Sequence, residues 1–159
     1  MHLDTIFTRI NNNEALVFPP ILESSFKNHS NKLYVFKDKK NKPAIVKNDL
    51  ISILNNNGLN IKYIKCGSNS KIMQEREQWT DGANAFALSP GKIIGYDCNP
   101  YTIKELEKHG YKVISSNTYI SNYKIYNESK EKLMITIKGS ELSRGRGGPR
   151  CLTLPLLRI

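Results

Sequence analysis

Cysteine is scarce in this chain, and its placement excludes more than its number. Three cysteines, Cys66, Cys98 and Cys151, stand among 159 residues. They cannot all pair with one another, and none forms a CxxC, so the spacing argues against a disulfide framework and a structural zinc site. Free thiols in a reducing cytoplasm are the simplest reading. Long apolar runs are lacking too. None approaches the roughly 18 residues that a membrane helix needs. No basic start followed by an apolar stretch marks the N-terminus, so no secretory leader and no membrane partner are expected. Acidic residues are the third shortage, with 14 against 24 lysines and arginines and a net charge of +10. That excess would favour anionic partners. Its positive charges are mostly scattered lysines, as between Lys27 and Lys47, where they alternate with asparagines, and no RNA- or DNA-binding signature accompanies them. Nucleic acid is therefore not an expected partner.

What is present suits one soluble α/β domain over residues 1–159, with 39% apolar and 24% charged residues. Leu3 to Ile10 alternates apolar and polar and predicts a strand; Asn11 to Asn13 turns the chain and Ala15 to Phe18 returns. Ser24 to Pro43 predicts a loop or small insertion around Leu33 to Phe36. Asn48 is the expected N-cap of a helix through Leu50, Ile51, Ile53 and Leu54, closed by Gly58, and Ile61 to Ile64 reads as a strand. The pattern then repeats. After a short helix at Gln74 to Trp79 come a strand at Asn84 to Leu88, a Pro90-Gly91 turn and a strand at Ile93 to Tyr96. A helix opened by Pro100 runs to His109, and Val113 and Ile114 form the next strand. Ser116 to Lys132 reads as an extended loop. A third, incomplete copy is expected at Leu133 to Ile137, Ser140 to Leu142 and Cys151 to Leu157. The ββαβ units thus fall at about 1–65, 84–115 and 133–159. Such a unit buries its apolar face only against neighbours, so the series suggests part of a larger ring with open edges.

The candidate chemistry lies at the two ends. Cys151 follows the run GSELSRGRGGPR, in which Gly145, Gly147 and Gly148 separate Arg144, Arg146 and Arg150. Glycine there permits close backbone approach to a ligand, and nearby guanidinium charge favours thiolate over thiol. A buried small cysteine and a basic linker are the bland alternatives. His2 and Asp4 lie two apart, so a strand would aim both into one cavity; a surface histidine is the competing reading. Arg76 and Glu77 read as a solvated helix face, and Asp81, Gly82 and Asn84 as a turn. A thiol, an imidazole and a carboxylate are the parts for nucleophilic attack on a cationic carbon.

Four segments carry a resemblance: MHLDTIFT at 1–8, EREQWTDGANAFALSPG at 75–91, IGYDCN at 94–99 and GSELSRGRGGPRCLTLPLLR at 139–158. In identity, order and spacing they resemble the C-terminal part of bacterial arginine deiminase. The resemblance implies the guanidine-modifying, or pentein, fold, an α/β propeller of ββαβ units, of which this chain would hold about two and a half of five blades. It implies hydrolysis of L-arginine to L-citrulline and ammonia with no metal or organic cofactor. By the same resemblance Cys151 is the nucleophile, His2 the general acid and then base, Asp4 a guanidinium ligand, and Arg146 a loop arginine near the site entrance. A complete member is longer at its N-terminal side. That part supplies a second guanidinium-binding carboxylate, a Glu orienting the histidine, and arginines for the substrate carboxylate. The isolated chain is therefore expected to be inactive or weakly active, and to pair with a separate N-terminal half or with itself through open strand edges. The alternatives are a non-catalytic remnant or partner-dependent subunit of the same fold, and another guanidine-modifying hydrolase.

Overall fold

Two antiparallel strand pairs, each joined by a tight turn, begin the two principal sheets. The computed structural model describes residues 2–22, 33–35, 44–46, 50–145, 147–154 and 156. In the first pair, β1 (Phe7–Asn11) runs antiparallel to β2 (Glu14–Val17), with Phe7 opposite Val17. A short helix α1 (Pro19–Leu22) ends the pairing, as the prolines require. Strand β3 (Leu33–Val35) lies within the expected insertion and pairs antiparallel with β4 (Ala44–Val46) just beyond it. Helix α2 (Leu50–Asn56) ends at a turn through Gly58, whose φ of +81° suits glycine. The Asn48 cap and most of the 24–43 loop lie outside the described residues. Strand β5 (Lys62–Lys65) then pairs parallel with β2, giving the order β1-β2-β5.

The second sheet begins after helix α3 (Lys71–Trp79). Strands β6 (Phe86–Ser89) and β7 (Lys92–Tyr96) form the antiparallel pair, and α4 (Pro100–Lys108) starts with proline at its first turn. Strand β8 (Tyr111–Ser115) follows, then α5 (Ser116–Ser121), α6 (Tyr123–Glu128) and β9 (Lys132–Ile137). The order is β6-β7-β9-β8, with β9 parallel to both neighbours.

Three expectations change here. The extended loop at 116–132 is two helices. The Ser115 hydroxyl accepts from the Thr118 backbone N–H and caps α5. Tyr119 and Tyr126 then stack over the sheet. The strand assigned to a third unit is instead an inner strand of the second sheet. Helices α5 and α6 explain this, since they cover a second face. Leu133 and Ile135 pack with Ile114 and Tyr119 on that side, while Met134 faces the main core. Finally, Cys151 to Leu157 forms no strand among its described residues. Leu152 N–H donates to Gly148 O at 3.1 Å and Thr153 N–H to Arg150 O at 3.2 Å, which curls the segment into turns. Leu152, Leu154 and Leu156 are left exposed.

One core joins both sheets: Ile10, Leu16, Ile64 and Cys66 meet Ile93, Leu106, Tyr111 and Met134. A polar staple crosses the same boundary. Buried Glu14 on β2 accepts from Lys132 Nζ at 2.8 Å on β9 and from the Tyr111 hydroxyl at 3.0 Å on β8. Asn11 Nδ2 donates to it as well, at 2.9 Å. Glu77, expected on a solvated helix face, is only 2% exposed. It accepts from the backbone N–H groups of Tyr101 and Thr102, each at 2.8 Å, and from the Thr102 hydroxyl at 2.6 Å. Its charge thus satisfies orphan donors at the start of α4 and complements the helix dipole there. Among the described residues no helix is long and apolar enough to cross a membrane.

Candidate functional site

The segment before β1 is a turn of 3-10 helix, Leu3–Thr5, and not the beginning of a strand. Threonine makes the difference. The Thr5 backbone N–H and hydroxyl both donate to His2 O, at 3.1 and 2.7 Å. The Thr8 hydroxyl donates to Asp4 O at 2.8 Å. These local bonds compete with a strand ladder and hold the backbone in a turn. Leu3 consequently points to solvent, and Asp4 is half-buried.

Two buried side chains position the opposite end of the chain. The Tyr96 hydroxyl donates to Gly147 O at 2.6 Å. Asn84 accepts from the Arg150 backbone N–H at 2.9 Å and donates through Nδ2 to Cys151 Sγ at 3.2 Å. Glycine at 148 is required by this packing, because a Cβ there would lie 2.2 Å from Asn84 Oδ1. The bland reading of 81–84 as a turn holds for the backbone, since Asn84 N–H donates to Asp81 O at 2.9 Å. It misses the side chain of Asn84, which reaches the cysteine turn. In a single sequence the only hint is an amide flanked by Ala83 and Ala85.

The two ends meet at Asp4. Cys151, exposed to solvent, places its Sγ 3.8 Å from Asp4 Oδ2. Arg150 Nε lies 3.7 Å from the same oxygen. The other oxygen, Asp4 Oδ1, is buried and has no hydrogen-bond partner among the described residues. A buried acceptor of this kind is costly unless a ligand completes it. A cavity of about 620 Å³ adjoins Asp4, lined also by Arg9, Phe86, Arg150 and Thr153 but not by Cys151. The thiol and carboxylate expected from the sequence are therefore side by side, although 147 positions separate them.

The remaining expected residues stand differently. His2 is exposed, and among the described residues its ring has no recorded hydrogen bond. Because the turn replaces a strand, the shared-face argument for His2 and Asp4 no longer applies. Arg146 lies outside the described residues. Burial pushes the Cys66 thiol up to about 12, and burial also raises that of half-buried Cys98, so both are poor nucleophiles beside exposed Cys151. Among the described residues no three His, Cys, Asp or Glu side chains gather closely enough to hold a metal ion. The arrangement offers an accessible thiol next to a carboxylate whose buried oxygen has no partner among the described residues. That combination suits a planar cation with several N–H donors.

The chain is similar to known proteins over nearly its whole length. The family model for arginine deiminase matches residues 1–158. An arginine deiminase of Mycoplasma capricolum subsp. capricolum is 38% identical over 161 residues, which cover 99% of this chain and 33% of that protein. One from Oenococcus oeni is 37% identical over the same shares. One from Lactococcus lactis subsp. lactis is 36% identical over 163 residues, 34% of its length. The chain thus spans about a third of the length of the curated relatives it matches.

Proposed function

The chain belongs to the arginine deiminase family, and from that premise we propose that it carries the nucleophile-bearing part of an enzyme hydrolysing L-arginine to L-citrulline and ammonia. The observation that supports this reading best is half-buried Asp4, whose Oδ2 lies 3.8 Å from Cys151 Sγ and whose Oδ1 has no hydrogen-bond partner among the described residues. In the proposed reaction Asp4 binds two guanidinium N–H groups. The Cys151 thiolate attacks the guanidinium carbon, and His2 gives a proton to the departing ammonia. That leaves an amidino-thioether on the sulfur. His2 then takes a proton from water, the hydroxide adds to the same carbon, and the thiolate departs as citrulline forms. Splitting one difficult hydrolysis in this way lowers each barrier, because the guanidinium carbon is a poor electrophile and a thiolate is a strong nucleophile. A histidine titrating near neutrality can serve first as acid and then as base. By resemblance to the family, Arg146 would take part in binding the substrate. No metal or organic cofactor takes part, and the free thiols suit a reducing cytoplasm.

The isolated chain is proposed to be inactive or weakly active. His2 has no recorded partner to orient its ring, and one carboxylate satisfies only part of a guanidinium's donors. Within the family this chain reads as the C-terminal part of a pentein propeller, its two principal sheets forming neighbouring blades. The remaining length of the relatives would complete the ring and supply the missing carboxylates. A partner-dependent subunit is the second reading, favoured by the same exposed His2 and by the exposed Leu152, Leu154 and Leu156.

The test is citrulline release from L-arginine by the purified chain, alone and with a separately expressed N-terminal half of a relative, each with a Cys151→Ala control. Turnover only in the mixture, abolished by Cys151→Ala, is the expected result. Turnover that survives Cys151→Ala would overturn the assignment of the nucleophile, and robust turnover by the chain alone would overturn its proposed dependence on a partner.

A further inference from the structure

We propose that Asn84 is a positioning residue for the nucleophile: its side-chain amide clamps the turn carrying Cys151 and donates a hydrogen bond that stabilises the sulfur in its anionic form. This rests on the reading of Cys151 as the nucleophile.

The orientation of the amide follows from its partners. Oδ1 must accept from the Arg150 backbone N–H at 2.9 Å, since an NH2 group could not. That leaves Nδ2 toward Cys151 Sγ at 3.2 Å, and the sulfur must be the acceptor. A donor hydrogen bond to an ionised acceptor is stronger than one to a neutral acceptor, so the contact favours thiolate. Asn84 itself is held firmly. It is 1% exposed, and Gly148 packs its backbone directly against the amide. One side chain therefore fixes two consecutive residues, 150 through the backbone and 151 through the sulfur.

Other groups act on the same sulfur with mixed sign. The Asp4 carboxylate at 3.8 Å disfavours the anion. The Arg150 guanidinium favours it, but it is also drawn to Asp4 at 3.7 Å. The buried Tyr96 phenol lies within electrostatic reach, and is itself raised by burial first and then by Asp81, Cys151 and Cys98. Asn84 is the neutral donor that tips the balance, and it does so without adding a charge that would repel a cationic substrate.

The experiment is alkylation of the full chain by iodoacetamide across pH, with each cysteine followed by peptide mass spectrometry. Cys66 is buried in the core, so it stays unmodified only in folded molecules and reports folding within the same sample. Asn84→Asp keeps the shape and the acceptor toward Arg150 but replaces the donor by an anionic oxygen. Its Cys151 midpoint is expected to rise by about one pH unit, with alkylation about tenfold slower at neutral pH. Asn84→Ala is expected to move the midpoint the same way by less. An unchanged or lowered midpoint in Asn84→Asp, with Cys66 still protected, would overturn the proposal. If Cys66 reacts in both variants, the unsubstituted chain gives a second readout. The side-chain amide signals of Asn84 in 15N-labelled protein should shift with the same midpoint as Cys151 alkylation, and signals insensitive to that titration would equally overturn it. None of these measurements needs arginine turnover, so this proposal and the assigned reaction can fail separately.

Discussion

Glu77 on α3 and Asp4 in the turn before β1 both present buried carboxylate oxygens, but in opposite states. Glu77 is fully engaged, with two backbone donors and one hydroxyl on its two oxygens. Among the described residues Asp4 has one oxygen with no partner and another that meets Cys151 and Arg150 only at 3.8 and 3.7 Å. Desolvation makes an unpaired carboxylate oxygen expensive, so folding alone would not place one there. The difference separates scaffold from site. A satisfied carboxylate ties two helices together, whereas the unsatisfied one lies beside an accessible thiol, where the proposed reaction would place a cation. Glu14 stands between them as a third case. It is fully satisfied like Glu77 but pairs with a partly exposed lysine across the boundary between sheets.

Substitutions should grade in that order. Glu77→Ala strands three donors, two of them on the helix α4 backbone, and is expected to lower unfolding stability in urea by about 3 kcal/mol or more. A loss under about 1 kcal/mol would remove Glu77 from the scaffold. Glu14→Gln should cost about 2 kcal/mol, because it leaves Lys132 half-buried without its counter-charge. Glu14 also sets a pH dependence. Burial pushes its carboxyl up, but the hydrogen bonds from Lys132, Asn11 and Tyr111 outweigh that and hold it below its ordinary 4.5. Its folded pKa is thus depressed, so its contribution is fully present above about 4.5 and is lost as pH falls through the lower folded value. Urea unfolding between neutral pH and pH 3 should show a decline in the parent chain that is shallower in Glu14→Gln; parallel curves would contradict this. The smallest effect on stability is expected at Asp4. Asp4→Asn should change it by less than about 1 kcal/mol, or raise it, because the orphaned oxygen loses its charge. The same substitution should abolish citrulline formation in the mixture with an N-terminal half. A large stability loss would place Asp4 with Glu77 and erase the contrast.

The hairpins and α4 were legible because their signals are local. Alternation marked β1, the Asn11 to Asn13 turn marked its return as β2, Pro90-Gly91 marked the turn between β6 and β7, and Pro100 opened a helix. Helices α5 and α6 were not legible, since SSNTYISNYKIYNE is polar and its stability comes from Tyr119 and Tyr126 packing on a sheet face. Nor could a sequence reveal that β9 inserts between β7 and β8, because strand order depends on crossover packing. At the site, Cys151 and Asp4 were found as a pair, but for Asp4 the argument assumed a strand where threonine hydroxyls make a turn. The apolar tail beyond Cys151 looked like a strand because its leucines alternate, and yet no neighbour buries them among the described residues. Asn84 stayed hidden because its role depends on a contact 67 positions away.

The most direct test of the account is to trap the sulfur during turnover. The chain would be mixed with an N-terminal half of a relative and L-arginine, quenched in acid, and mapped by peptide mass. The account predicts an amidino adduct on the peptide carrying Cys151, absent when arginine is omitted. Citrulline formation with no adduct on Cys151, or with the adduct on Cys66 or Cys98, would contradict it.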